Sequence, residues 1–326
     1  MKINVCPGCL APSNSTYCPD CRKKLFNGNR ISHILNFRKP EFLKVKREKQ
    51  NRISISGFQL KHSLKISSGK LEMTERGGEY ILKPVPERIL LNKNIIPANE
   101  HLTMQIASQV FGIDTARCAL VFFPDGEPAY LTKRFDTDEK GERILQEDFA
   151  QIMNRSEENF GENYKYDSSY EEIALFAKKF IAAYPIEIEK FFRAVIFNYL
   201  FSNGDAHLKN FSLYRDKITG EYRFTPFYDL MSTRFHAPTE SDMALELFAD
   251  DFESADFKAG SKYTRNDFLE FAFRIGINRK RAEKILDSFL NKDNELKELV
   301  NRSFLERQFC EDYFDNYMER KSRLIN

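Results

Sequence analysis

Residues 198–213 read N-Y-L-F-S-N-G-D-A-H-L-K-N-F-S-L and hold an aspartate, Asp205, and an asparagine, Asn210, with four residues between them. A carboxylate can accept the proton of an attacking hydroxyl, and an amide oxygen can ligate a metal ion. Together they repeat the D-x-x-x-x-N spacing of kinase catalytic loops. Lys209, between them, is long enough to reach a transferring phosphate. Asp229 ends the apolar run F-T-P-F-Y-D-L-M-S, residues 224–232. Mg²⁺ prefers hard oxygen ligands, so Asn210 and Asp229 form a candidate magnesium pair. Lys83 lies inside the apolar strand pattern E-Y-I-L-K-P (79–84), where its ammonium would be positioned to hold phosphates. Glu100, at the start of the next helical segment, is its candidate ion-pair partner. Phosphoryl transfer uses such parts because its rate comes from positioning and charge stabilisation.

Each part has an ordinary reading as well. An aspartate at a strand end is often a cap or turn residue, and D-x-x-x-x-N arises by chance. The segment I-S-I-S-G-F-Q-L-K (53–61) is a candidate phosphate cover, but its single Gly57 suits a plain hairpin turn equally. What favours the chemical reading is order: lysine strand, helix, hairpin, helices, Asp…Asn loop, hairpin, aspartate.

A second chemistry is written near the N-terminus. Cys6-Pro-Gly-Cys9 and Cys18-Pro-Asp-Cys21 are two C-x-x-C knuckles eight residues apart. Four thiolates at this spacing can close a tetrahedral Zn²⁺ site, and with four protein ligands no position stays open for catalysis. Redox thiols or a chance cluster are the competing readings. A module this short has almost no core, so the metal would supply its folding energy. Cys118, in an apolar strand, and Cys310, in a helix, read as inert core residues.

The elements that must position these groups follow from periodicity. H-S-L-K-I alternates, S-S-G turns, K-L-E-M-T follows, E-R-G-G turns again, and E-Y-I-L-K is a third strand. N-E-H-L-T-M-Q-I-A-S-Q-V-F (99–111) reads as a helix with Asn99 as N-cap and Gly112 as C-cap. C-A-L-V-F-F and E-P-A-Y-L-T-K-R-F form a hairpin about Asp125–Gly126. Beyond Gln146 the pattern turns helical, with one helix over 168–184 and another over 187–201. The latter puts Ile188, Phe191, Phe192, Val195, Ile196 and Tyr199 on one face, and Asn203–Gly204 ends it. A hairpin, 211–228, and a mostly helical tail complete the chain. The expected fold is α+β and two-lobed, with a β-rich N-lobe and a helical C-lobe. The expected division is a cysteine module (1–30), a basic linker or short helix (31–52), an N-lobe (53–136) and a helical C-lobe (137–326).

Taken together, S-I-S-G-F-Q-L-K (54–61), Y-I-L-K-P (80–84), N-E (99–100), K-R-F-D (133–136), Q-E-D-F-A-Q (146–151), G-D-A-H-L-K-N-F-S (204–212) and T-P-F-Y-D (225–229) resemble the HipA family of bacterial toxin kinases, most of all its shorter HipT branch. The resemblance implies a two-lobed HipA-type fold and ATP- and Mg²⁺-dependent phosphorylation of serine or threonine. It implies that ATP meets Ser56, Gly57, Gln59, Lys61, Lys83, Glu100, Lys133, Phe135 and His207, with Asp205 and Lys209 catalytic. It also implies autophosphorylation of the phosphate loop at Ser54 or Ser56, which switches the kinase off. The implied partners are a protein substrate, typically an aminoacyl-tRNA synthetase, and a helix-turn-helix antitoxin through which DNA is reached indirectly. The family's usual N-terminal subdomain is replaced here by the cysteine module, and a separate small protein is a candidate to supply it.

Composition bounds the rest. The 326 residues are 42% hydrophobic, enough for a sizeable core, and the 30 Phe with no Trp read as core filler. There is no apolar run of membrane-spanning length, and M-K-I-N-V-C-P-G-C-L lacks the apolar core of a signal peptide. A cytoplasmic protein without membrane partners is expected, and there paired cysteines suggest metal or catalysis more than disulfides. Residues 1–52 carry 12 Lys/Arg against 3 Asp/Glu, a net of +9, and the remainder carries 38 against 45, a net of −7. The basic arm, densest over 38–52, reads either as a solvated linker or as a site for nucleic acid or an acidic protein face. Two other functions stay open at this point: a zinc-knuckle binding protein whose kinase-like body is regulatory only, and a small-molecule kinase.

Overall fold

Alternation along C-A-L-V-F sends Cys118, Leu120 and Phe122 to one side of a sheet and Ala119 and Val121 to the other, and all five are buried. A strand apolar on both faces needs cover on both, and the computed structural model, which describes residues 3–13, 16–41, 61–137 and 142–325, shows what supplies it. Strands β1 (His62–Ser67), β2 (Lys70–Met73), β3 (Tyr80–Pro84), β4 (Cys118–Phe122) and β5 (Pro128–Lys133) form an antiparallel sheet in the order β2-β1-β3-β5-β4. The tight β1–β2 turn places Ser68 and Gly69 at positive φ (47° and 72°), as a primed turn requires.

On the inner face lies the helix Ile96–Gln109, whose Leu102, Ile106 and Ala107 share the main core with Leu120 and Tyr130. Its cap position is held by Ile95, with Pro97 in the first turn, so Asn99 is not the N-cap that the sequence suggested. Asn99 lies a turn inside and is fully buried. Gly112 follows the helix end at φ +61°, the left-handed conformation that stops a helix cheaply.

The outer face is covered by the cysteine segment. Tyr17, Leu25, Phe26, Ile31, Leu35 and Phe37 are buried with Leu64, Tyr80, Leu82, Val121 and Leu131 in one apolar layer. The helix Pro19–Phe26 is anchored there through the Tyr80 hydroxyl, which donates to Leu25 O (2.8 Å), and the Tyr17 hydroxyl donates to Leu120 O (2.8 Å). Next, the backbone runs along the free edge of β4. Phe122 N–H donates to His33 O (2.7 Å) and Leu35 N–H to Phe122 O (2.8 Å), which hides an edge otherwise open to another chain. The cysteine segment thus shares a core with the sheet instead of lacking one. Arg38–Glu41 are described, with Lys39 paired to Glu127 at 2.6 Å; the rest of the basic arm, 42–52, lies outside the described residues.

The second half is helical around a small sheet, β6 (Gln146–Asp148), β7 (Ser212–Arg215) and β8 (Tyr222–Phe224), paired in that order. β7 and β8 are the hairpin expected over 211–228; β6 was not foreseen. The single helix expected over 168–184 stops at Phe180, and a new one, Tyr184–Leu200, begins earlier than expected. Pro185 explains the break: without an N–H it sits well in a first turn but cannot continue a helix. All six residues expected on one face of that second helix are buried. The phenylalanines are mostly mortar: Phe191 stacks on Phe224 (5.3 Å) and meets Phe211 edge-on (5.3 Å), joining the long helix to the hairpin. Among the described residues no helix is long and apolar enough to cross a membrane.

Candidate active site

Strand alternation decides where Lys83 points. Leu82 faces the outer layer, so Lys83 faces inward, in register with Tyr130, whose ring centroid lies 5.2 Å from the ammonium. There Lys83 Nζ donates to Glu100 Oε1 (2.6 Å) and Asp229 Oδ1 (2.5 Å), with side-chain exposures of 5%, 3% and 28% for Lys83, Glu100 and Asp229. Burial alone would push the Lys83 ammonium down, but the carboxylates of Asp229 and Glu100 outweigh it and hold the value above normal. For Asp229, burial pushes up, and the cations Lys83 and Lys61 more than reverse that, so the carboxyl stays ionised. Lys61 reaches Asp229 Oδ2 at 3.5 Å.

Asp229 is aimed by its backbone. The preceding strand end is pinned where Phe227 N–H donates to Asp114 O and Ala116 N–H donates to Phe227 O, each at 2.8 Å. Asp229 then adopts φ +57°, a conformation tolerated by Asp better than by most residues and concentrated at functional positions. Past it, the buried Asn99 side chain donates to Ser232 O (2.8 Å) and accepts from Ser232 N–H (3.3 Å), tying the outgoing segment to the helix of Glu100.

The Asp205 loop follows the long helix through Ser202, which takes the left-handed turn (φ +51°) expected of Asn203–Gly204. Asn203 has a different task. Its side chain accepts from Asp205 N–H (3.3 Å) and donates to Asn198 Oδ1 (2.8 Å), with Asp229 O at 3.5 Å, so one amide spans both acidic residues. Gly204 lies tight against the Glu240 side chain: a Cβ there would fall 2.6 Å from Glu240 Cδ, so that side chain would have to move aside. Its N–H donates to the Thr233 hydroxyl (2.8 Å). Gly204→Ala therefore should cost about 1–3 kcal/mol of overpacking and displace the residue before Asp205. Adding Glu240→Ala should restore most of the thermal stability, and a double-mutant melting series checks this.

The Asp205 carboxylate is half exposed and accepts from the Tyr166 hydroxyl at 2.5 Å. Beside it stands His207, Nε2 3.8 Å from Asp205 Oδ1, its ring packed edge-on against Tyr166. Burial lowers His207 to about 4, so it is neutral near pH 7. Asn210 Oδ1 accepts from His207 N–H (3.1 Å), which leaves one oxygen lone pair free. With the Asp229 carboxylate this is a hard-oxygen donor set of the kind Mg²⁺ takes. Lys209 extends to the Tyr164 hydroxyl (3.5 Å), while its carbonyl accepts from Tyr228 OH (2.9 Å).

The expected nucleotide residues divide. Lys61, Lys83 and Glu100 converge on Asp229, His207 stands by Asp205, and Phe135 packs against Tyr228 (5.6 Å), next to Asp229. Lys133 does not join them. Two-residue periodicity puts it opposite Tyr80 on the outer face, where its ammonium donates to Asn27 Oδ1 (2.7 Å) and Lys24 O (3.2 Å). Ser54, Ser56, Gly57 and Gln59 lie outside the described residues. Sequence reasoning missed Asn203, Asn99 and Tyr166 as site residues. Asn99 was hidden by its reading as the helix N-cap, because the helix starts three residues earlier than the pattern suggested; Tyr166, in a polar loop, left no signal.

The second site is the cysteine cluster. The Sγ atoms of Cys6, Cys9, Cys18 and Cys21 all lie within 4.8 Å of one another, and Cys9 and Cys18 are 3.7 Å apart. Tetrahedral zinc with bonds of about 2.3 Å sets sulfurs roughly 3.8 Å apart, so the spacing fits. Hydrogen bonding to Cys6 and Cys9 and burial hold the Cys21 thiol well above its ordinary range, whereas a central cation would favour four thiolates. Gly8 makes the cradle possible, since a Cβ would fall 2.7 Å from Cys21 Sγ.

Comparison with known proteins bears on the family and the fold. The HipA-like C-terminal domain family matches residues 53–295. A Haemophilus influenzae protein named "Putative kinase" is 30% identical over 324 residues, 95% of this chain and 93% of that protein. Two Sinorhizobium fredii proteins of the same designation, Y4mE and Y4dM, are 30% and 32% identical over 60% of this chain, which spans about half of their length. Among solved structures, the Shewanella oneidensis HipA complex with HipB and operator DNA aligns with TM-score 0.64 at 21% identity, over 88% of this chain and 71% of that one. The Helicobacter pylori proinflammatory kinase CtkA aligns with TM-score 0.54 at 16% identity, over 80% and 93%. The architecture is therefore the mixed α+β fold of HipA and CtkA, and with a family match across three quarters of its length and a full-length relative, the chain belongs to the HipA-like family.

Proposed function

We propose that this chain is an ATP- and Mg²⁺-dependent serine/threonine protein kinase, the toxin of a HipA-like toxin–antitoxin pair. The observation that carries the reading is the convergence of Lys83, Glu100 and Asp229, linked through Asn203 to the Asp205 loop. In this reading residues 53–136 form the nucleotide lobe and 137–326 the helical lobe. Asp229 and Asn210 would hold Mg²⁺, which supplies charge stabilisation on the phosphates. Lys83 orients those phosphates and Asp205 takes the proton of the acceptor hydroxyl. The Tyr166 hydroxyl already donates to Asp205 Oδ1, as an acceptor hydroxyl would, so the acceptor displaces it.

The proposed partners are a protein substrate of the aminoacyl-tRNA synthetase class and a helix-turn-helix antitoxin that carries the contact with DNA. The complex of the Shewanella HipA with HipB and operator DNA supports the second. Ser54, with Ser56 as the alternative, is the proposed autophosphorylation site. A phosphate there adds about −1.5 to −2 charge and would repel the nucleotide phosphates or hold the loop outward. Mass spectrometry tests this: the wild-type 53–61 peptide should carry phosphate, and the same peptide from Asp205→Ala protein made in the same host should not. Phosphate on both, or on neither under saturating ATP, overturns the assignment. Labelled phosphate passing to metabolites rather than to protein would mark a small-molecule kinase instead.

A further inference from the structure

Three consecutive carbonyls of the first cysteine knuckle are occupied by the nucleotide lobe. Pro7 O accepts from Leu120 N–H of β4 (2.8 Å). Gly8 O accepts from His101 Nε2 (2.9 Å); a carbonyl can only accept, so this nitrogen carries the proton. Cys9 O accepts from Gln109 Nε2 (2.9 Å). His101 directly follows Glu100 near the middle of the helix, and Gln109 is the last residue of the same helix, so the knuckle grips that helix at its centre and at its C-terminal end. Leu10, at φ +60°, then drops into the main core beside the helix, fully buried. The knuckle's own shape is set by Cys6, whose N–H donates to Ala11 O (2.8 Å) and whose carbonyl accepts from Leu10 N–H (2.9 Å). That shape crowds four sulfurs together, and four thiolates repel unless a cation lies among them.

We propose that the four-cysteine site is a metal-dependent clamp on the helix that carries Glu100, so that losing the ion loosens this helix and breaks the Lys83–Glu100 pair. A tethering module disordered by itself would leave the lobe unchanged; here the three carbonyls and Leu10 go with it. His101 is the positioning residue that transmits the hold. The ion that fits four cysteine sulfurs in this cradle is Zn²⁺ or a metal of the same tetrahedral thiolate preference. The consequence for nucleotide rests on the kinase reading above; the consequence for the helix does not.

Hydrogen exchange on the full chain separates the two. Chelation should remove one zinc per chain and speed amide exchange across 96–109 and 118–122 by about tenfold or more, leaving 184–200 protected. His101→Ala should keep the zinc, reproduce the faster exchange at 98–109, and weaken ATP binding about 2- to 30-fold, the range for coupling through a packed network. His101→Gln, which can still donate to Gly8 O, should restore both. The clamp is wrong if zinc leaves while 96–109 stays protected, if His101→Ala exchanges like wild type, or if freshly purified reduced protein contains no metal. Should wild-type protein fail to bind ATP, the kinase reading falls, and the exchange data still decide the clamp.

Discussion

Asp229→Asn should lower phosphoryl transfer by about 10³-fold or more, the scale on which charge-stabilising groups act in this chemistry, and should weaken magnesium-dependent nucleotide binding. The variant suits the backbone, because Asn tolerates the φ of +57° at this position, whereas Ala would add strain. It also leaves Lys83 paired, since Glu100 Oε1 stays 2.6 Å from the ammonium, and a buried cation keeps a buried anion. The fold should thus survive, and the loss should be one of metal ligation and phosphate placement. Titration of ATP with and without Mg²⁺, beside a transfer assay, checks the assignment. Transfer near the wild-type rate would remove Asp229 from the site.

Asp205→Asn should lower the transfer rate by about 10²- to 10⁴-fold, the usual contribution of a positioned general base, while ATP affinity stays as in wild type. The carboxylate is half exposed, its neighbour His207 is neutral, and an Asn oxygen can still accept from Tyr166, so no buried charge is orphaned. Tyr166→Phe is the informative companion. It frees Asp205 Oδ1 without removing the base, and transfer should persist. Single-turnover rates with pre-bound nucleotide decide between the roles. A loss in Tyr166→Phe as large as in Asp205→Asn would mean that the tyrosine, not the acceptor, is the group the aspartate serves.

The two sites differ in how much of them could be read along the chain. Both cysteine knuckles and the Asp205, Asn210 and Asp229 motifs are local: a few adjacent residues whose chemistry is set by type and spacing. Lys83 and Glu100 were legible for a similar reason, since strand alternation and the next helix limit where each can point. Lys133 shows where that reasoning ends. It lies in a matching motif, yet its register opposite Tyr80 turns it to the face covered by the cysteine segment, and register is a property of the pairing, not of one strand. Asn203 and Gly204 were read as a helix stop because that is their commonest local use. In the structure the stop is Ser202, Gly204 answers to Glu240, and Asn203 bridges two acids 24 residues apart in sequence.

The sequence by itself determined the order of the main elements apart from β6, the two clusters of chemical groups and the apolar faces, because these depend on period and composition within short windows. Only the tertiary structure decided that the cysteine segment is the outer wall of the five-stranded sheet. Its apolar residues, Tyr17, Leu25, Phe26 and Ile31, are too few to form a core alone, and sequence gives no measure of the matching surface left open on β3, β4 and β5. It decided, too, that Lys83 stands between two carboxylates 17 and 146 positions away. Contacts at such separations are fixed by how the sheet, the helix and the Asp229 segment pack, and no local pattern encodes that sum.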